Sequence, residues 1–248
     1  FSSSSIWLNG VRIKGNKIIA VGAKGYPLSY DGVILISDDN GNTWSFVNIS
    51  IKASFREVDW VNNNIIVIGN EGKIVVSHDN GNTWSIKNSG VTNDLLCVQY
   101  YGSTSIVSIN TEKYLLSIDN GDTWTIKTAM NPIYRMTYNG IDAFTIYENN
   151  ISRLTGTDFI ALSTEPSHLH GCEVAGEVIT FAQFKPNTLE SPLHYCDKNG
   201  EIKSIALVKP GTRAGSRFRI KVDPSGEYAK MLLGKNNDGI LAFQTYVQ

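Results

Sequence analysis

Short apolar stretches alternate with polar turns along the chain. In the second repeat four strand-like runs cover residues 55–61, 65–69, 73–77 and 83–87, and Asn or Gly lies in every gap between them. Runs of this length bounded by turn residues are typical of β-strands, whereas helices need longer segments with a helical period. Residues 95–128 divide in the same way. The pattern therefore predicts an all-β protein built from groups of four antiparallel strands.

One polar segment recurs with the same residue types. The sequence Ser-x-Asp-x-Gly-x-Thr-Trp begins at Ser37, Ser77 and Ser117, at intervals of 40 residues. We call this segment the turn motif. Its fixed positions include Ser37, Asp39, Gly41, Trp44, Ser77, Asp79, Gly81, Trp84, Ser117, Asp119, Gly121 and Trp124. Because Asp can accept backbone N–H groups of its own turn and Gly permits a positive φ, we expect these residues to be structural.

The turn motif resembles the Asp-box, or BNR repeat, of sialidases, sortilin-type receptors and photosystem-assembly propellers. This resemblance implies a β-propeller in which the motif closes the outer edge of each four-stranded blade. Four short strands in about 40 residues are also typical of propeller blades, and 248 residues at that period predict six. The expected blades of this single domain cover residues 7–49, 55–89, 95–128, 133–164, 169–208 and 216–248.

The last expected blade contains only three strand-like runs, and residues 1–6 precede the first inner strand without a place in its blade. We therefore expect residues 1–6 to pair with the last blade and close the ring, since an unpaired edge strand invites aggregation. The chain begins at Phe1 without the pattern of a secretory signal. We interpret it as a domain of a longer protein.

The composition argues against several functions. The 22 Lys and Arg nearly balance 23 Asp and Glu, which gives a net charge of −1, so we expect no nucleic-acid partner. The sequence contains no run of about 18 apolar residues, so we expect no insertion into a membrane. The three Cys argue against a disulfide framework. His168 and His170 lack a third ligand nearby in sequence, so we expect neither a metal nor a cofactor.

Loop lengths favour one face of the expected propeller as a binding surface. The connections between strands 2 and 3 and between blades emerge opposite the turn motifs, and the loop at residues 23–32 is longer than its counterpart in the second repeat. Tyr offers rigid contact area and Arg binds carboxylates in a bidentate manner. The predicted binding residues on this rim are Tyr26, Tyr30, Asp31, His168, His170, Lys185, Glu190, Arg213 and Arg217.

Arg56 and Arg135 start inner strands, so we expect them at the mouth of the central channel. Two alternatives stay open. The loops can vary in length without any function. The two Arg residues can instead form structural ion pairs, with Glu57 or with a neighbouring blade.

An enzymatic function is one alternative. The resemblance to sialidases implies three Arg that clamp a carboxylate, a Tyr nucleophile paired with Glu, an acidic Asp and an Arg-Ile-Pro motif. The segments 12–14 and 219–221 both read Arg-Ile-Lys and lack that Pro, and the chain has seven Arg in total. We therefore expect no catalytic residues and keep an exo-sialidase-like hydrolase as an alternative.

A non-catalytic binding module is the main hypothesis. The composition is rich in Asn, Ile and Tyr and resembles that of phage tail proteins that carry Asp-box propellers as receptor-binding tips. This resemblance implies a receptor-binding or adhesin domain on an extracellular or virion surface. Its partners would be a cell-surface protein or glycan receptor and other subunits of a larger assembly. Residues 54–58 and 69–74 are similar to photosystem-assembly propellers, which implies a second alternative, an assembly-factor or scaffold propeller that binds a protein.

Overall fold

The computed structural model describes residues 6–25, 30–109, 111–133, 135–138, 143–147, 150–164, 169–175, 178–183, 191–196, 202–208, 218–222, 228–233 and 242–246. In these residues the regular structure is antiparallel β-sheet, apart from one short 3-10 turn at Asn70–Gly72. The prediction of an all-β chain with four-stranded antiparallel sheets is confirmed. The chain divides into two compact units, Phe1–Tyr134 and Arg135–Gln248.

The first unit contains three four-stranded sheets, and in each the strands are neighbours in chain order. Sheet 1 consists of β1 (Ile6–Lys14), β2 (Lys17–Lys24), β3 (Asp31–Ser37) and β4 (Ser45–Phe46). Sheet 2 consists of β5 (Phe55–Val61), β6 (Asn64–Gly69), β7 (Lys73–Ser77) and β8 (Ser85–Asn88). Sheet 3 consists of β9 (Leu95–Tyr101), β10 (Thr104–Ile109), β11 (Lys113–Ser117) and β12 (Thr125–Thr128).

The described strands of the second unit also form antiparallel sheets in chain order. Sheet 4 consists of β13 (Arg135–Tyr138), β14 (Ala143–Tyr147), β15 (Asn150–Thr155) and β16 (Asp158–Thr164). Sheet 5 consists of β17 (Leu169–Ala175), β18 (Val178–Gln183), β19 (Ser191–Cys196) and β20 (Ile202–Val208). Sheet 6 has three described strands, β21 (Phe218–Val222), β22 (Tyr228–Leu233) and β23 (Ala242–Tyr246).

Consecutive residues of β6 enter two different hydrophobic cores. Ile65 and Val67 lie in a buried cluster shared with sheet 1, whereas Ile66 and Ile68 lie in a second cluster shared with sheet 3. Side chains along a strand alternate between the two faces of its sheet, so a strand that is covered on both faces must be apolar throughout. This packing explains why the central strands read as continuous apolar runs.

The face of sheet 1 that points away from sheet 2 is apolar and exposed. Ile19 and Val21 of β2 lie in the core with sheet 2, so Ala20 between them points the other way. Val11 of β1 pairs with Ala20 and shares that outward face. The large apolar side chains exposed on it are Ile6, Leu8, Val11, Ile13 and Phe46. Sheet 1 therefore has one face covered by sheet 2 and an opposite apolar face on which these large side chains are exposed, although Ala20 is buried.

Candidate functional site

The three turn motifs share one set of hydrogen bonds. In the second copy, Asp79 Oδ1 accepts the backbone N–H of Thr83 and the hydroxyl of Ser77, both at 2.8 Å. Asp79 Oδ2 accepts the Thr83 hydroxyl at 2.6 Å. The corresponding bonds form around Asp39 and Asp119. Each carboxylate is therefore bound within its own turn.

The Gly and Trp positions complete the turn. Gly81 has a φ of 91°, in the region that favours glycine, and its N–H donates to Ser77 Oγ at 2.8 Å. The indole Nε1 of Trp84 donates to the carbonyl of Gly81 at 2.9 Å, and the ring packs against the core between sheets 1 and 2. Trp124 packs in the same way against the next core, whereas Trp44 lies on the exposed side of sheet 1.

These bonds shift the acidity of the motif carboxyls. The side-chain and backbone hydrogen bonds of Thr83 lower the pKa of Asp79 to about 2. Burial raises the pKa of Asp119, but the hydrogen bonds from Thr123 outweigh it and lower that pKa to about 2. The hydrogen bonds of Thr43 also lower the pKa of Asp39. A general acid must hold its proton near neutral pH, so these carboxyls are poorly suited to that role.

A belt of polar side chains connects the first strands of sheets 1, 2 and 3. We call Arg12, Glu57, Asp59 and Gln99 the inner belt. Arg12 of β1 reaches both acids of β5, with Nη2 3.3 Å from Glu57 Oε1 and Nε 3.2 Å from Asp59 Oδ1. Glu57 Oε2 accepts the backbone N–H of Val98 in β9 at 3.1 Å. Burial raises the pKa of Glu57, while the Arg12 guanidinium opposes that rise.

Asp59 is the most buried acid of the inner belt, with a side chain that is 10% exposed. Its Oδ2 accepts the backbone N–H of Tyr100 at 2.7 Å and the side-chain amide of Gln99 at 3.1 Å. None of the four residues is among those predicted from sequence to bind a ligand. The sequence did contain a signal for these residues. Acidic residues alternate with apolar ones along β5, and the strand that pairs with β5 is buried. The belt is therefore a structural link between sheets. From sequence only Glu57 was considered for an ion pair, with Arg56 or Arg135, whereas its partner is Arg12.

Asp31 is a predicted rim residue that forms an exposed ion pair. Lys52 Nζ lies 2.6 Å from Asp31 Oδ1, and the same two residues form an isolated antiparallel bridge. The Lys52 hydrogen bond lowers the pKa of Asp31. Tyr30 next to it is exposed, and its carbonyl accepts the N–H of Ala53. Residues 23–32 were predicted to be a loop, but Ala23 pairs with Gly32, so the flanking strands extend further than expected.

Arg56 also pairs with an acid, from the connection that leads to sheet 3. Its Nη2 lies 2.5 Å from Asp94 Oδ2, and Asp94 Oδ1 accepts the N–H of Glu71 at 3.2 Å. Glu71 has a φ of 53°, which is uncommon for a non-glycine residue. The ion-pair alternative for Arg56 therefore holds, with Asp94 rather than Glu57 as its partner. Both side chains remain accessible, since Arg56 is 42% and Asp94 37% exposed.

The structure describes only part of the predicted rim. Six of its members lie outside the described residues, namely Tyr26, His168, Lys185, Glu190, Arg213 and Arg217. Arg135 begins β13, and His170 lies in β17. Among the described residues, no three His, Cys, Asp or Glu side chains are grouped to hold a metal ion. The described part of the chain also contains no helix of the length and apolar character that crossing a membrane requires.

Comparison with solved structures defines the class of fold. The chain is similar to YCF48 bound to D1 peptide, with a TM-score of 0.67 and 13% identity over 95% of this chain and 81% of that chain. It is similar to YCF48 from Cyanidioschyzon merolae, with a TM-score of 0.55 and 13% identity over 98% and 96% of the two chains. A chain of the Mitotic Checkpoint Complex gives a TM-score of 0.67 and 9% identity over 97% and 80%.

These similarities support a β-propeller fold. Because the sequence identities are only 9–13%, these similarities are evidence for the fold alone. No protein-family model matches the chain, and no curated protein matches its sequence at a significant level. The function therefore has to be argued from the residues and from the class of fold.

Proposed function

We propose that this chain is a non-catalytic propeller that binds a protein partner, as an assembly factor or scaffold does. The observation that carries the proposal is the similarity in fold, over 95% of the chain, to a propeller whose structure was solved with a peptide bound. The similar structures favour this alternative over the receptor-binding hypothesis. They also agree with a non-enzymatic role, as does the use of the motif carboxylates within their own turns.

The proposed binding surface consists of the predicted rim, which includes Tyr30 and Asp31, together with Arg56, which was predicted at the mouth of the central channel. A guanidinium has five N–H donors, so the bond between Arg56 and Asp94 leaves donors for a carboxylate or a backbone carbonyl of a partner. The two ion pairs of this surface, Asp31 with Lys52 and Arg56 with Asp94, are exposed, and exposed pairs contribute little to stability. They can therefore exchange their partners for charged groups of a bound peptide at low cost.

Selection from a random peptide library tests this proposal, followed by fluorescence anisotropy with the selected peptides. We expect Arg56→Ala to weaken binding about tenfold or more, as for an interface residue that contributes over 1 kcal/mol. The matched control is Lys17→Ala, which removes a cation that pairs with Asp38 inside the first turn motif. Equal binding by both variants, or the failure to select any peptide, would contradict the proposal.

We also propose that the sheets form the blades of a closed six-bladed ring. Residues 1–6 were expected to pair with the last blade, but Ile6 begins β1 and pairs with Lys24 inside sheet 1, so the proposed closing segment is residues 1–5. The exposed face of sheet 1 supports this closure. By the repeat, Val11, Ala20 and Leu35 correspond to Val58, Val67 and Val75, and the last three are buried against a neighbouring sheet. A face with this composition is suited to pack against another sheet.

Disulfide cross-linking tests the closure, in a chain whose native cysteines are replaced by Ser. Each position from Ser2 to Ser5 is changed to Cys together with Thr245→Cys in β23. At least one pair should form an intramolecular disulfide, since cross-linking needs Cα atoms within about 7 Å. The control pairs the same positions with Thr125→Cys in sheet 3. Cross-links with Thr125→Cys alone would refute the closure.

The receptor-binding hypothesis, with a phage-tail or virion-surface location and a cell-surface protein or glycan receptor, stays a proposal that rests on composition and on the turn motif. It shares with the assembly-factor proposal a non-catalytic propeller that binds through one face. The peptide selection separates the glycan form of this hypothesis from the assembly-factor proposal, because an adhesin for glycans should select no peptide that depends on Arg56.

A further inference from the structure

Each turn motif contains an Asn-Gly peptide bond, at Asn40, Asn80 and Asn120. At such bonds the asparagine amide can be lost spontaneously, because glycine has no Cβ to hinder attack by its nitrogen. The glycine nitrogen loses its proton and bonds to the asparagine Cγ, while the Cγ–Nδ2 bond breaks and ammonia leaves. Water then opens the cyclic imide at either carbonyl, which yields aspartate or isoaspartate. Water is the only co-reactant.

The folded turn holds the attacking nitrogen in place. The glycine N–H donates to the motif serine Oγ at 2.8 Å in all three copies. The preceding asparagines have φ values of 59°, 63° and 58°, so each copy has the same left-handed backbone at this bond. The nitrogen must break its bond to serine before it can lose its proton and approach Cγ. This geometry therefore opposes the reaction.

The motif aspartate does not turn this arrangement into a proton relay. The serine hydroxyl donates to the aspartate Oδ1, at 2.8 Å in the first two copies and 2.7 Å in the third. A relay from glycine through serine would need a carboxylate that readily accepts a proton. The pKa of Asp79 is lowered to about 2, so this carboxylate is a weak base. The serine therefore restrains the nitrogen and does not activate it.

We propose that the three turn motifs are latent modification sites, in which Ser37, Ser77 and Ser117 suppress isoaspartate formation as long as the turn is folded. Opening of a turn releases the glycine nitrogen, so modification marks a turn that has opened. Isoaspartate adds a carbon to the backbone and a charge beside the motif carboxylate. The modified turn therefore cannot restore its original hydrogen bonds. This inference does not depend on the proposed function.

Peptide mapping by mass spectrometry tests the proposal with the full chain held at mildly alkaline pH. The rate of amide loss is measured at Asn40, Asn80 and Asn120 in the folded protein and in urea. We expect the folded wild type to react more slowly than the denatured chain at all three positions. Ser77→Ala should accelerate the reaction at Asn80 about fivefold to tenfold, the factor that one hydrogen bond corresponds to, and leave the other two positions unchanged.

The matched control is Thr83→Val, which removes the 2.6 Å bond to Asp79 but keeps the bond between Ser77 and Gly81. It should leave the rate at Asn80 within about twofold of the wild type, because this substitution leaves the proposed restraint in place. Equal acceleration in both variants would show that loss of turn stability, and not the serine, controls the reaction.

A rate at Asn80 that is unchanged or lower in Ser77→Ala would overturn the proposal, and a lower rate would indicate a proton relay. Should Ser77→Ala unfold the chain, all three asparagines would react at the rates measured in urea. The same measurement is then made with Ser37→Ala, and the rate at Asn40 is followed. This copy of the turn motif belongs to sheet 1, where the face that points away from sheet 2 is exposed. Equal rates for folded and denatured wild type would also overturn the proposal.

Discussion

Replacing Asp59 with Ala tests whether the inner belt holds neighbouring sheets together. The substitution removes the acceptor for Arg12 Nε, for the Gln99 amide and for the backbone N–H of Tyr100. The Tyr100 N–H is the most costly loss, because the tyrosine is 2% exposed and water has little access to replace the carboxylate. Arg12 is 37% exposed and can recover part of its hydration.

The magnitude follows from these contacts. Hydrogen bonds to a charged group contribute about 1.5–3 kcal/mol each, and the removal of one partner from a buried pair costs about 3–5 kcal/mol. Because the Arg12 contact is screened by solvent, we expect Asp59→Ala to lower the free energy of unfolding by about 3 kcal/mol. Asp59→Asn keeps an oxygen acceptor for the Tyr100 N–H, so it should cost less than the alanine variant.

Equilibrium unfolding in urea, followed by tryptophan fluorescence, measures this effect. The control is Asp38→Ala, which removes an acid that is 69% exposed and pairs with Lys17. Because Asp38 is exposed and Lys17 keeps its hydrogen bond to the Asn80 carbonyl, this substitution should cost about 0–1 kcal/mol. If Asp59→Ala costs no more than Asp38→Ala, the inner belt does not stabilise the contact between sheets. A double-mutant cycle with Arg12→Ala then measures how much of the loss belongs to that ion pair.

Three further predictions concern the described sheets. Phe55→Ala should cost about 3–5 kcal/mol in urea unfolding, because the ring is fully buried, whereas Ile86→Ala at an exposed position of sheet 2 should cost under about 1 kcal/mol. Gly72→Ala should lower the melting temperature far more than Gly90→Ala. Both glycines have a positive φ, but only the methyl group added at Gly72 would lie 1.9 Å from a backbone oxygen. Equal losses in melting temperature would contradict this steric explanation. The depressed pKa of Asp79 stabilises the fold above about pH 4, and this contribution is lost as the pH falls towards 2. Removing the Thr83 hydroxyl that binds this carboxylate should therefore raise the midpoint pH of acid unfolding, which is followed by fluorescence. An unchanged midpoint pH would refute this linkage.

Several strands could be predicted from sequence because their signals are local. The run predicted at 55–61 is β5, since a short run with apolar residues that is bounded by turn residues leaves few other conformations. The outer strand predicted at 83–87 instead begins at Ser85. Thr83 and Trp84 belong to the turn, where Asp79 and Gly81 accept their hydrogen bonds, so these two residues are not available for strand pairing.

The ion pair of Arg56 shows where prediction from sequence ends. That Arg56 starts an inner strand could be foreseen, but its partner Asp94 lies 38 residues further along the chain. Many carboxylates lie at comparable distances in sequence, and nothing local selects one of them. Two sheets must first pack before this pair can meet. The same reason explains why the inner belt was missed.

The amino-acid sequence alone determined the strands, their grouping in fours and the turn motif, because each depends on residues that are close in the chain. In the motif the aspartate binds a threonine four residues away, so the residues that stabilise the turn all lie within it. Tertiary structure decided which charged residues pair, which faces are covered and which side chains stay accessible. These contacts join residues about 40 positions apart, and only the burial of apolar faces between sheets brings them together.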